Sequence, residues 1–418
     1  MAATQDYIPR IVDTELTHAL TIAGGVYLRG PRACGKTSSA RQVAQSDIRL
    51  RAREQVETVA EVNPASILAG DTPRLIDEWQ NVPSIWEEVR HEIDKRGEKG
   101  QFILTGSATP TDEANVQSGA GRIRELTMRT MTMKELGLAP GGVSVEDLLN
   151  PAFTPTGECT MPVSDYVEHI VRGGWPGLRD LDPDDAQEML ESYLDEMVQH
   201  DFPDLAGPRR DPRLFRAFLR GYADAIAQNT SFAAIRKRIG DEHARVPSPD
   251  TTKSLYDFGE RLFLLEDQTA WWPVLRSKQA LLQTPKRHFC DVSLAAALIG
   301  ANVDHLLDDL DTLGYFFESL VTHELTVFAQ HSRKAVHFYR DAKGRDEMDA
   351  VLVDRRGEWV GCEVKLSHRK VDEAAASLLR VAAKIAQPPR NLCVIIPSGF
   401  AYRRPDGVLV VPLGLLNA

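Results

Sequence analysis

The run Gly30-Pro31-Arg32-Ala33-Cys34-Gly35-Lys36-Thr37-Ser38 contains a complete Gly-x-x-x-x-Gly-Lys-Thr pattern, the spacing of a phosphate-binding loop. Glycines at both ends let the backbone curl with its amides turned inward, toward an anion. In such a loop Lys36 reaches the β- and γ-phosphates of ATP, and the Thr37 hydroxyl binds Mg²⁺. Val26, Tyr27 and Leu28 before it are β-prone, and Thr37 to Gln45 opens a helix. Strand, loop and helix N-terminus in that order favour a bound anion.

Further polar residues fall at the ends of two apolar strands. Arg74-Leu75-Ile76-Asp77-Glu78-Trp79-Gln80 delivers two consecutive carboxylates at a strand's C-terminal end, where ligands sit in open α/β sheets. Asp77 is expected to hold Mg²⁺ and Glu78 to polarise the attacking water. Gln101-Phe102-Ile103-Leu104-Thr105-Gly106-Ser107 ends in hydroxyls. Thr105, and after it Ser107, suits a contact to the γ-phosphate or the attacking water. Gly119-Ala120-Gly121-Arg122 places an arginine after a glycine hinge. Arg122 is a candidate finger for a neighbouring subunit's γ-phosphate, which requires assembly, plausibly as a hexamer.

These motifs, with Lys134-Glu135-Leu136 after them, resemble AAA+ superfamily ATPases of bacteria and archaea. The C-terminal half of that group is a domain of unknown function related to PD-(D/E)xK nucleases. The resemblance implies that Tyr7-Ile8-Pro9-Arg10 lies near the adenine. It also implies that Gly173-Gly174-Trp175-Pro176-Gly177 links the ATPase to a winged-helix middle domain.

The C-terminal part holds a second set of chemically able residues. Arg355-Arg356-Gly357 suits a three-residue hairpin loop between two β-prone runs. If Asp354 and Glu358 close it, Asp349 faces Glu363 across the ladder, and Lys365 shares that face. Two carboxylates and a lysine on one face are costly unless they bind something. Asp349 and Glu363, with Glu318 from a preceding helix, are expected to hold Mg²⁺ or Mn²⁺ while Lys365 orients water or stabilises phosphorane charge. This Asp…Glu-x-Lys arrangement is the nuclease pattern that the resemblance implies.

The elements that must position these residues divide into four stretches. Residues 1–140 are expected to form an AAA+-type α/β ATP-binding domain and 141–204 a linker with helices, and 137–160, across that boundary, is rich in Gly, Pro and Thr and reads as linker or loop. An acidic helix over 182–204 presents Met189, Leu190, Tyr193, Leu194 and Met197 as a buried stripe. Residues 205–284 read as winged-helix-like. Nine basic residues between Arg209 and Arg245 face four acidic ones, and Thr252 and Lys253 are candidate DNA contacts. Trp271-Trp272 reads as core and wing packing. Residues 285–418 are the PD-(D/E)xK nuclease-like α/β end.

The 418 residues carry 49 basic and 60 acidic side chains, a formal charge of −11. Bulk nucleic-acid affinity is therefore not implied, although a local patch can supply it. Five cysteines without a Cys-x-x-Cys pair argue against disulfides or zinc and fit the cytoplasm. The sequence has no membrane-length apolar run, and no signal peptide is expected. The expectation is an oligomeric, Mg²⁺-dependent ATPase acting on or with DNA, with metal-dependent nuclease activity in its last domain. The alternative is an ATP-gated protein-interaction module, antitoxin-like or chaperone-like, that cuts nothing.

Overall fold

Short apolar strands flanked by amphipathic helices bury a parallel sheet on both faces. The computed structural model describes residues 7–50, 64–107, 119–206, 211–242, 246–273, 283–341 and 343–418. Arg209, Arg210 and Arg245 of the basic run lie outside them. The chain divides into two units: Met1–Thr130 with Asp201–Arg210 and Phe258–Leu264, and Met131–His200 with Asp211–Asp257 and Leu265–Ala418.

The first unit contains α1 (Ile11–Ile22), β1 (Gly25–Arg29), α2 (Lys36–Val43), β2 (Ser46–Arg49), α3 (Pro64–Leu68), β3 (Arg74–Asp77), α4 (Ile85–Arg96), β4 (Phe102–Gly106) and β5 (Ile123–Thr127). The strands form one parallel sheet in the order β2-β3-β4-β1-β5. Alternate residues serve opposite faces. Val26, Leu28, Leu75 and Ile103 pack with α1 and α2, while Tyr27, Ile76, Phe102 and Leu104 pack with α4 and the Trp79–Trp86 pair. Thr105 is level with Leu28 on one side and with Asp77 on the other. The ends of β1, β3 and β4 therefore converge beside the loop that follows Arg29.

The second unit adds helices α5 (Val145–Leu149), α6 (Val163–Arg172), α7 (Pro183–Glu196), α9 (Pro212–Ala223), α10 (Phe232–Glu242), α12 (Val292–Ile299), α13 (Val303–Asp308), α14 (Leu310–His331) and α15 (Val371–Ala382), while α8 (Phe202–Ala206) falls in the first unit and α11 (Pro249–Arg261) is divided between the two. Besides the short strands β6 (Val143–Ser144), β7 (Glu158–Cys159) and β12 (Gly399–Phe400), it has a sheet of β8 (Ala335–Arg340), β9 (Glu347–Val353), β10 (Trp359–Val364), β11 (Asn391–Ile396), β13 (Tyr402–Arg403) and β14 (Leu409–Pro412), in the order β13-β14-β11-β10-β9-β8. The β9–β10 hairpin has the register that its loop dictates. Asp354 N–H donates to the Glu358 carbonyl at 2.9 Å, and Cys362 stands opposite Ala350. Trp271 packs in the core of this sheet against Trp359.

Three expectations are corrected here. Residues 137–160 are built into the unit rather than forming a linker: Val143 pairs with Leu416, Cys159 pairs with Gly399, and Asn391 Nδ2 donates to the Leu148 and Asn150 carbonyls. Met189 is 52% exposed, so the buried stripe of α7 is narrower than its apolar residues suggest. Thr252 is fully buried and donates to the Ser248 carbonyl at 3.0 Å, so its hydroxyl faces the fold rather than a phosphate.

Candidate nucleotide site and a carboxylate–lysine cluster

The loop after β1 turns on three residues with positive φ, Gly30 at 153°, Ala33 at 65° and Gly35 at 105°. At Gly30 the backbone approach is closest, since a Cβ there would meet the Met128 carbonyl oxygen at 2.0 Å. Gly35 then caps α2, with Lys36, Thr37 and Ser38 in its first turn. Lys36 Nζ donates to the Gly30 and Pro31 carbonyls at 3.0 and 2.7 Å. Buried Arg10 braces the loop from outside: Nη1 donates to the Cys34 carbonyl and Nη2 to the Arg129 carbonyl, each at 2.9 Å. Tyr7 donates to Asp13 Oδ2 at 2.6 Å and lies 2.8 Å from Ser39 Oγ. Exposed Arg32 pairs with Asp201 at 3.1 Å.

Asp77 is the hub of this region. Its Oδ1 accepts from Thr37 Oγ1 at 2.7 Å and from Thr105 Oγ1 at 2.5 Å. The side chain is fully buried, and Oδ2 accepts no hydrogen bond, although Arg49 Nε lies 3.3 Å away. A buried anionic oxygen left without a donor is costly unless a cation completes it. Glu78 adopts the left-handed conformation, φ 60°. Its Oε2 accepts from Gln80 Nε2 at 2.5 Å and Ser107 Oγ at 3.3 Å. The structure thus brings together Lys36, Thr37, Asp77, Glu78, Thr105 and Ser107. Arg122 lies elsewhere. Its carbonyl accepts from Gly25 N–H at the start of β1, its side chain pairs with Asp94 at 2.6 Å, and the phosphate loop follows the far end of that strand, about 16 Å on at 3.3 Å per residue. Arg49 and Gln80 were missed as members, and Arg10, which the resemblance implies lies near the adenine, braces the phosphate loop. Only Gln80 carried a local signal, two residues after Glu78.

In the second unit Glu318 from α14, Asp349 from β9, Glu363 from β10 and Lys365 also converge, but around an ammonium. Lys286 Nζ lies 2.6 Å from Glu318 Oε1, 2.8 Å from Glu347 Oε1 and 3.3 Å from Asp349 Oδ1. Lys365 Nζ lies 3.1 Å from Glu363 and 3.8 Å from Asp349. Val364 N–H donates to Asp349 Oδ2 at 2.8 Å. Burial and the Asp349 charge push Glu318 and Glu363 up to about 8. Burial works against Asp349 too, but Lys286 and Lys365 overcome it and hold that carboxyl below the usual range. Lys286 is opposed by its burial, yet Glu318, Asp349 and Glu347 keep it charged well above the ordinary lysine range. Among the described residues, no group of three or more His, Cys, Asp or Glu has the arrangement of a metal site. As arranged, the expected Mg²⁺ or Mn²⁺ ligands do not fit a divalent ion, because a lysine stands among them.

Residues 24–137 match the family described as AAA domain. Residues 163–305 and 313–416 match two domains of unknown function, DUF8612 and DUF4143. An AAA-like ATPase module therefore occupies the N-terminal part of the chain. Uncharacterized proteins of Mycobacterium bovis and Mycobacterium tuberculosis are each 23% identical over 403 residues, covering 95% of this chain and 82% of theirs. A Walker-type ATPase of Pyrococcus abyssi aligns with a TM-score of 0.43 and 13% identity over 71% of this chain and 97% of its own. The Drosophila ORC structure bound to DNA aligns with a TM-score of 0.19 and 12% identity over 62% of this chain and 78% of its own. Among the described residues, no helix is long and apolar enough to cross a membrane.

Proposed function

We propose that the protein binds ATP with Mg²⁺ and hydrolyses it at the end of the first unit's sheet. The observation that carries this reading is Asp77, whose one oxygen takes both Thr37 and Thr105 hydroxyls while the other accepts none. The loop amides and Lys36 bind the phosphates. Thr37 and Asp77 hold the Mg²⁺, which neutralises phosphate charge. Glu78 takes a proton from water as its oxygen bonds the γ-phosphorus, the bridging β–γ bond breaks, and ADP leaves. Thr105 and Ser107 sense the γ-phosphate end. Arg122, remote from its own loop, acts on a neighbour's nucleotide, so the active form is an oligomer, with a hexameric ring as the arrangement to test. Lys36→Ala is expected to abolish nucleotide binding. Glu78→Gln should keep ATP bound and slow turnover by about 10²- to 10⁴-fold, the usual contribution of a general base. Phosphate release from Glu78→Gln at the wild-type rate would remove Glu78 from this role.

A second reading, that the ATPase works with DNA, is favoured by Arg213, Arg220 and Lys237, which stay exposed on α9 and α10. The winged-helix reading of 205–284 is supported by three helices followed by antiparallel bridges Leu265–Phe289 and Gln268–Lys286. Duplex DNA that leaves the ATPase rate and nucleotide affinity unchanged would turn the weight to a protein partner.

A further inference from the structure

Lys286 belongs neither to the nucleotide site nor to any motif the sequence offers. Its backbone exchanges both hydrogen bonds with Gln268, each at 3.0 Å. The Gln268 side chain in turn donates to the Asp349 and His337 carbonyls at 3.1 and 3.0 Å. The lysine is therefore delivered to the cluster by backbone ties on both sides. Its ammonium has three protons to donate, and three carboxylates, Glu318, Glu347 and Asp349, stand within 3.3 Å of it. The side chain is 2% exposed, with Nζ 5.9 Å from the centre of the Phe338 ring. Lys365 serves the other side of Asp349, and Arg340 Nε stands 3.9 Å from Glu347 Oε2.

We propose that Lys286 is the resident cation of this cluster, and that it shuts Glu318, Asp349 and Glu363 to divalent metal. A metal ion would bind carboxylate oxygens at about 2.0 to 2.6 Å. Glu318 Oε1 and Asp349 Oδ1 already hold the ammonium, and a second positive centre on the same oxygens meets its repulsion in a site with little water to screen it. Metal and ammonium exclude one another, so metal chemistry on this hairpin begins only once Lys286 leaves. The proposal is independent of the ATPase reading, with which it shares no residue.

The test is Mn²⁺ binding to the full-length, nucleotide-free protein, followed through the electron paramagnetic resonance of free Mn²⁺. Lys286→Met keeps the stem and removes the charge. It should bind Mn²⁺ about tenfold tighter than wild type or better, at a site that the added Asp349→Asn change abolishes. Glu347→Gln removes one of the lysine's three partners and leaves the buried charge paired. It too should bind Mn²⁺ more tightly, whereas an ordinary acidic site would bind more weakly on losing a carboxylate. Weaker or unchanged binding by Glu347→Gln overturns the proposal even if Lys286→Met does not fold. So does folded Lys286→Met with wild-type affinity. Tight Mn²⁺ binding without DNA cleavage would leave the lysine lock standing and dismiss the nuclease expectation alone.

Discussion

Gly30→Ala puts the geometry of the phosphate loop to its most direct test. A methyl group at this position would lie 2.0 Å from the Met128 carbonyl oxygen and 3.1 Å from its carbon. That carbonyl cannot simply swing away, because Met128 N–H is tied to the Arg29 carbonyl at 2.8 Å. An unstrained carbon–oxygen contact is roughly 3.3 Å, so loop and strand must part by more than 1 Å on the order of that difference. The backbone adds its own penalty, since φ is 153° at Gly30, a region costing side-chain-bearing residues about 1 to 3 kcal/mol. Overpacking contributes another 1 to 3 kcal/mol, roughly. The sum is about 2 to 6 kcal/mol, and a melting temperature lower by at least about 4 °C is expected. Displacing loop amides by an ångström should also weaken catalysis by about 10²-fold. The control is Gly97→Ala, at the end of α4, where φ is 70° but nothing lies within 4 Å of the added methyl. It should cost about 1 to 2 kcal/mol from the left-handed backbone alone and leave nucleotide affinity unchanged. Titration with a fluorescent ATP analogue, beside thermal melts, separates the two. Wild-type affinity in folded Gly30→Ala, or equal damage from Gly97→Ala, would refute the loop geometry.

Two further predictions follow from buried charge. Arg10→Ala removes two hydrogen bonds that hold the Cys34 and Arg129 carbonyls. At about 1.5 to 3 kcal/mol for each bond to a charged group, ATP affinity should fall at least about tenfold, and Arg10→Lys should not restore it because lysine lacks the planar fork; full rescue by lysine would show that only the charge matters. Glu318 and Glu363 titrate near 8 in the folded chain, above their ordinary value near 4.5. Raised carboxyls give stability at low pH that is lost as pH climbs through the folded value, so the second unit should melt at lower temperature at pH 9 than at pH 6. Glu318→Gln or Glu363→Gln should flatten that slope, and an unchanged slope in both would remove these two groups as its source.

The phosphate loop and the β9–β10 hairpin were legible because each is short-range. The loop is contiguous, and the hairpin's register follows from one three-residue turn, which sets Ala350 opposite Cys362, the residues next to Asp349 and Glu363. Asp77 and Thr105 were legible for a related reason, since both end apolar strands of a parallel sheet, where such ends align. Apart from Gln80, the residues missed act over distance. Lys286 is 32 residues from Glu318 and 63 from Asp349, and nothing in Pro285-Lys286-Arg287 marks its two basic residues as buried. Residues 137–160 read as linker for the same reason. Their small and turn-forming residues give no periodicity, and their partners Gly399 and Leu416 come much later in the chain. Met189 shows the converse failure, an apolar residue at helical spacing that the unit leaves exposed.

Asp77 and Asp349 show why residue type alone does not decide which carboxylates take a metal. Both are buried, and both were expected to bind a divalent ion. At Asp77 one oxygen is held by two hydroxyls and the other has no donor, with half-exposed Arg49 the nearby cation. Hydroxyls orient a carboxylate without neutralising it, and the cation beside it, Arg49, is 41% exposed, so its charge is partly screened by water. At Asp349 both oxygens are committed, Oδ1 to Lys286 and Oδ2 to the Val364 N–H, with Lys365 beside it. Its charge is met from within the chain. An incoming cation at the first site would compete only with a half-exposed arginine, whereas at the second it must displace a buried lysine. The lysine at the second is therefore the residue on which any metal-dependent activity of the C-terminal unit turns.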